Sequence, residues 1–145
     1  MSVFSKTCEY AIRAVFYIAH KSADGRKVGI KDIAAGIDSP ELYLAKILQD
    51  LSRKGLINST KGPNGGFYVN KESLSRPLSD IVEAVDGDHL FYGCALGLKQ
   101  CSEVNPCPLH KQFKAIRDQI HNLLHNTTIG EFNEELMSGL LSLKK

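Results

Sequence analysis

No apolar run in this 145-residue chain approaches the roughly 20 positions that a membrane-spanning helix needs. The first residues lack the basic, apolar, small-residue order of a secretory signal, so a soluble, cytoplasmic protein with no membrane partner is expected. Internal repeats and low-complexity segments are missing as well, which excludes solenoid arrays and biased linkers. Cysteine is sparse, at four residues, and none stands in the paired C-x2-C spacing of common zinc sites. In a reducing cytosol, four such thiols point to a metal or redox site before a structural disulfide. Nothing supplies a nucleophile elbow or a cysteine partnered by a base across two lobes. A cysteine-based enzyme and a small-molecule substrate are therefore not expected.

Net charge is also scarce, at only +2. Its distribution says more. Residues 1–76 hold twelve Lys and Arg against seven Asp and Glu, a net of +5, while residues 77–145 hold six against nine, a net of −3. A basic front half suits a polyanion that the acidic back half would repel. Hydrophobic residues make up 43% of the chain, enough for a packed core rather than disorder. The length fits one domain, or one domain with an extension.

Phe4, Cys8, Ala11, Ile12, Val15, Ile18 and Ala19 recur at helical spacing, which predicts a helix from about Ser5 to His20. The polar stretch from Ser22 to Arg26 predicts a loop. A short helix is expected from Ile30 to Ala35, stopping at Gly36. Ser39 then serves as N-cap and Pro40 as first helical residue of a helix burying Leu44, Ile47, Leu48 and Leu51, with Gly55 ending it. The period changes after that, and Leu56–Thr60 and Phe67–Asn70 read as strands joined by Lys61-Gly62-Pro63-Asn64-Gly65-Gly66. Another helix runs from Leu78 to Val85. Residues 88–107 show neither period. From Pro108, Leu109, Phe113, Ile116, Ile120 and Leu123 alternate by four and three, a 3.5-residue period that calls for a second helix to cover the seam. Thr128 and Glu131 predict a capping box for a last helix to about Leu143.

Two short helices with a tight turn, followed by a hairpin, describe a mainly α protein built on a winged helix-turn-helix from about Val28 to Val69. The second helix would enter the major groove of DNA, N-terminal end first. Its outward face offers Ser39, Pro40, Tyr43 and Lys46, with Arg53 further along, all suited to phosphates or base edges. The hairpin tip carries Lys61 and Asn64 among glycines, including Gly65, where free N–H groups and a small profile permit close approach to a backbone phosphate.

Three cysteines fall in the aperiodic stretch. Six residues separate Cys94 from Cys101, five separate Cys101 from Cys107, and His110 lies three beyond Cys107. A flexible segment can wrap three thiolates around a soft cationic centre, and thiolates are the ligands of iron–sulfur clusters. Zinc, a thiol switch and unreactive cysteines remain open alternatives. Cys8 reads as a small buried hydrophobe. His20, His89, His121 and His125 have no partner spacing and read as surface residues.

Several segments carry a resemblance. Glu9-Tyr10-Ala11-Ile12-Arg13-Ala14, Tyr43-Leu44-Ala45-Lys46-Ile47-Leu48 and the wing run from Gly55 to Phe67 resemble the Rrf-type winged helix-turn-helix transcriptional regulators (the IscR/NsrR/CymR-like group). Leu78-Ser79-Asp80-Ile81-Val82 and Thr128-Ile129-Gly130-Glu131-Phe132 match the same group. The resemblance implies a homodimeric repressor, joined through the long C-terminal helix and bound to a partly palindromic DNA operator. It implies that Cys94, Cys101 and Cys107 hold an iron–sulfur cluster sensing redox, nitric oxide or iron–sulfur status, as they do in the cluster-binding members. A cluster-free, thiol-based or partner-regulated repressor is the alternative, since other members lack the trio. For the fourth ligand the resemblance offers two residues. His110 sits where some members complete a two-iron cluster, and Glu9 sits where others supply a carboxylate from the partner subunit to a four-iron cluster. Residues 1–87 are thus expected to form the DNA-binding domain, 88–107 the cysteine loop, and 108–145 the dimerisation helix and a C-terminal helix.

Overall fold

Alanine and cysteine at the inward positions of the first helix let other elements approach it closely on several sides. In a computed structural model of the chain, which describes residues 3–144, this helix, α1 (Lys6–Lys21), buries Cys8, Ala11, Ala14, Val15, Ile18 and Ala19. Ser5 caps it, accepting the Cys8 N–H at 3.0 Å, a bond that typically contributes about 1 kcal/mol. At the other end Ser22 opens the predicted loop and is itself buried. Its hydroxyl donates to the Ile18 carbonyl at 2.6 Å and accepts the Val69 N–H at 3.1 Å, tying the helix end to the strand leaving the wing.

The next helix, α2 (Ile30–Ile37), runs through Gly36 instead of stopping there. A Cβ on Gly36 would lie 2.1 Å from the Tyr17 ring, so this glycine admits an aromatic side chain and does not break the helix. The turn falls at Asp38, in the left-handed region at φ 57°. In α3 (Glu41–Arg53) the expected cap is displaced by one residue. Pro40 takes the cap position, its carbonyl accepting the Leu44 N–H, while the Ser39 hydroxyl donates to the Pro40 carbonyl and caps nothing. Leu44, Ile47, Leu48 and Leu51 are buried as the spacing predicts. Gly55, at φ +76°, ends the helix with paired bonds, Gly55 N–H to Ser52 and Leu56 N–H to Leu51, both 3.0 Å.

The hairpin is shorter than expected. Strands β1 (Asn58–Thr60) and β2 (Gly66–Tyr68) pair antiparallel with Asn58 opposite Tyr68. Leu56 and Ile57 enter the core before pairing begins, and Asn70 caps a short helix, α4 (Lys71–Leu74), through the Ser73 N–H. Val28 adds an isolated bridge beside β2, exchanging two 2.8 Å bonds with Phe67. Helix α5 (Leu78–Asp86) follows as predicted.

Residues 88–107 contain an unexpected helical turn, α6 (His89–Tyr92). The long helix α7 (His110–Asn126) lies against α5 and α6, so it is not a bare rod. It buries Arg117 and Leu124 and half-buries Ile120, while Leu109, Ile116 and Leu123 are exposed. The predicted capping box forms only in part. Thr128 donates its N–H to Glu131 Oε1 at 3.4 Å, but the flanking backbone is drawn into extended pairing with Arg76 and Leu78. The last helix, α8 (Asn133–Ser138), therefore starts late and ends at Gly139, well short of Leu143. No helix among the described residues is long and apolar enough to cross a membrane.

Two predictions follow from this packing. Gly36→Ala should cost about 1–3 kcal/mol by forcing the Tyr17 ring aside, seen as a lower thermal midpoint; an unchanged midpoint would contradict the contact. Burial, then the Asp86 carboxylate, pushes the Cys8 thiol up from 9.0 to about 12. A raised folded pKa means a contribution present below pH 9 and lost as pH rises through about 12. Burial and Asp32 raise Tyr17 to about 12 as well. Cys8→Ala should therefore remove part of the fall in unfolding free energy across pH 9–12, and an unaltered slope would count against it.

Candidate nucleic-acid interface and cysteine centre

The sequence-predicted contact residues fall on α3, the turn before it and the wing, and of them Arg53 and Lys61 line one groove. Pro40, Lys46, Arg53, Lys61 and Asn64 are exposed, while Ser39 and Gly65 are half-buried. Arg53 is drawn toward Asp50 at 3.4 Å, an exposed pair that water screens. Tyr43 is more constrained than the sequence suggests. Its hydroxyl is hydrogen-bonded to Thr7 Oγ1, and its ring meets Tyr10 edge-on at 5.6 Å, so α1 holds it. Gly65 has a steric role within the tip, since a Cβ there would lie 2.2 Å from the Thr60 carbonyl oxygen.

Between α3 and the wing lies a groove of about 480 Å³, lined by Gln49, Ser52, Arg53, Ser59, Thr60 and Lys61 among others. The hydroxyls of Ser52 and Ser59 meet at 2.8 Å and join helix to wing. Sequence reading passed over Gln49, Ser52, Ser59 and Thr60. The available signal was position: Gln49 lies one helical turn from Lys46 and Arg53, Ser52 is next to Arg53, and Ser59 and Thr60 directly precede Lys61. Polar hydroxyls and amides flanked by Lys and Arg can bond phosphate oxygens and base edges.

The cysteine loop is fastened at both ends. Phe91 of α6 is buried and stacks against His121 of α7 at 4.5 Å, and Gly93 follows directly. Cys94 is buried, and its Sγ stands 3.7 Å from Cys107 Sγ. The two thiols are in direct contact, and two ligands about 2.3 Å from one tetrahedral metal would stand at a similar separation, roughly 3.8 Å. Backbone N–H groups of Leu96 and Leu98, helped by Cys107 and Gly97, hold the Cys94 thiol below its ordinary pKa. Cys101 Sγ lies 3.2 Å from His110 Nδ1, and His110 Nε2 is buried with no hydrogen-bond partner among the described residues.

The four donors thus form two pairs, Cys94 with Cys107 and Cys101 with His110. Among the described residues no group of three or more His, Cys, Asp and Glu side chains is gathered closely enough to hold a metal ion. Glu9 stays on α1, 3.9 Å from Lys6 Nζ. Cys8 is fully buried, as expected. Two histidines differ from expectation, because His20 and His121 are half-buried. Sequence reading also missed Arg117. It is 5% exposed and donates from one terminal nitrogen to Gly93 O at 2.6 Å and to Cys101 Sγ at 3.2 Å. The signal was its place four residues after Phe113 and seven before Leu124, on the inward face of α7.

The donor set suits a soft, anionic centre: thiols, backbone N–H groups around one of them, an unpartnered buried imidazole nitrogen and a buried guanidinium.

Comparison with known proteins agrees with this architecture. The Rrf2 family, described as iron-dependent transcriptional regulators, matches residues 4–135. An HTH-type transcriptional regulator of Aquifex aeolicus is 35% identical over 129 residues, covering 88% of each chain. The HTH-type transcriptional regulator IscR of Escherichia coli is 28% identical over 130 residues, covering 88% of this chain and 79% of its own. In structure, CymR, the global cysteine regulator of Bacillus subtilis, superposes with a TM-score of 0.73 at 22% identity, over 92% of this chain and 97% of that one. These relatives are transcriptional regulators and not enzymes, the fold is their winged helix-turn-helix, and the chain belongs to the Rrf2 family of transcriptional regulators.

Proposed function

We propose that the protein is a cytoplasmic, homodimeric DNA-binding repressor whose affinity for an operator responds to an iron–sulfur cluster held by the cysteine loop. The observation that carries this reading is the pairing of Cys94 with Cys107 and of Cys101 with His110 beside a buried guanidinium. Residues 1–87 read DNA, 88–107 hold the cluster, and 108–145 supply the dimer helix and the C-terminal helix. When bound, the cluster supplies a centre sensitive to redox state and nitric oxide. Within one chain His110 is the better fourth ligand, because it already touches Cys101; Glu9 would have to reach the partner subunit's loop.

Leu109, at the cap of α7, and Ile116 and Leu123 on its exposed face recur every seven residues and give a second copy its seam. A two-fold dimer spaces its recognition helices by about 34 Å, one turn of DNA. A path for coupling runs through this chain's own contacts. The loop follows α6 and α5, and Asp86 at the end of α5 accepts the Ser5 N–H at 3.0 Å at the start of α1. Thr7 and Tyr10 of α1 then hold Tyr43 of the recognition helix. Fixing the loop can bias the helix only if its two states differ in these contacts.

The Cys94–Cys107 spacing also favours a second reading, a cluster-free thiol switch. There the two thiols would form one disulfide, with two electrons and two protons passing to a hydroperoxide.

Duplexes selected from a random-sequence pool provide the test. Lys61→Ala should weaken binding to all of them and lower the salt slope by about 1, whereas Lys46→Ala should weaken selected duplexes more than scrambled ones. Full affinity in both variants would remove the reading surface from this face. Cys94→Ala should abolish cluster absorbance and change the affinity of anaerobically prepared protein for the selected duplex. Unchanged affinity would sink the sensor and leave DNA binding standing.

A further inference from the structure

Arg117 carries a permanent positive charge into the interior of the chain. Only 5% of it is exposed, and its Nε is buried with no hydrogen-bond partner among the described residues. Among the described residues no carboxylate oxygen stands within 4 Å of it; the neighbouring Asp118 is paired with Lys114 at 3.0 Å on the outer face of α7. Burying an unpaired guanidinium is strongly unfavourable, so a compensating anion is expected within reach. Its two acceptors are the Gly93 carbonyl at 2.6 Å, which is neutral, and Cys101 Sγ at 3.2 Å. The sulfur is the acceptor that can carry charge.

We propose that Arg117 is the counter-charge of the cysteine centre, a positioning residue that holds the Cys101 sulfur and sets the reduction potential of the group bound there. This rests on the cluster reading above. Its geometry has two consequences. One guanidinium nitrogen fastens both Gly93, the residue after α6, and the middle cysteine of the loop to α7, fixing where Cys101 can stand. Its charge also favours the more negative state of whatever the thiolates hold, which raises the potential for accepting one electron. A merely structural arginine would do the first and not the second.

The test uses full-length protein loaded anaerobically with ferrous iron and sulfide, then titrated with dithionite as one-electron donor. Arg117→Gln should load and become at least tenfold harder to reduce, a drop of about 59 mV for a one-electron couple. Arg117→Lys, which keeps the charge, should restore most of that loss. An Arg117→Gln protein that loads with an unaltered potential would overturn the proposal. If wild-type protein takes up no iron, the cluster reading itself fails and takes this one with it.

A measurement on the wild type covers the case in which Arg117→Gln does not fold. With ¹⁵N-labelled arginine, one guanidinium should exchange slowly with water and shift or broaden when the iron is loaded. Arginine signals that ignore loading would overturn the proposal with no variant at all.

Discussion

Burial of α1 on several sides at once is the constraint from which the other contacts follow. Its small inward residues let α2, α3, α5, α8 and β2 all pack against it. That leaves little freedom for any of them to move alone, because a close-packed interior transmits displacement instead of absorbing it. Each end of α1 is also tied by polar bonds. Ser5 meets Asp86 at one end, and Ser22 meets Val69 beyond the wing at the other. The helix is therefore in contact both with α5, which leads toward the cysteine loop, and with the helix-turn-helix and wing.

This arrangement gives the loop a mechanical address. Phe91 against His121 and Arg117 against Gly93 fasten its start to α7, while Cys107 leads straight into that helix. Between the anchors, residues 95–100 and 103–106 are exposed, so ligand binding can order them without disturbing the core. The recognition helix meets the same framework through Tyr43, which is held by Thr7 and Tyr10. Under the proposed reading, a change in the loop reaches the DNA face through packed helices, and the exposed seam of α7 sets how two copies share it.

Much of this was legible in the residue pattern, and the misses have physical causes. The periods of α1, α3 and α5 were clear because each buries one stripe of its surface. Gly36 read as a helix stop because sequence alone does not show the Tyr17 ring that needs its missing side chain. Ser39 lost the cap to Pro40, and the last helix started late because pairing with Arg76 and Leu78 held the backbone around Thr128 extended. These are tertiary overrides of local preference. The cysteine trio was visible from spacing, but the division of its donors into two pairs was not, since an aperiodic loop carries no register. Arg117 went unremarked because a charge on an inward helix face is ordinarily too costly to expect.

The central claim is that the loop holds iron and sulfide. It is tested most directly by purifying the full-length protein without oxygen, recording its visible spectrum and counting iron and acid-labile sulfide per chain. The account predicts broad sulfur-to-iron absorbance with both elements present, and loss of both when Cys94, Cys101 or Cys107 is replaced by alanine. A colourless protein without iron, or one carrying only zinc, would contradict it.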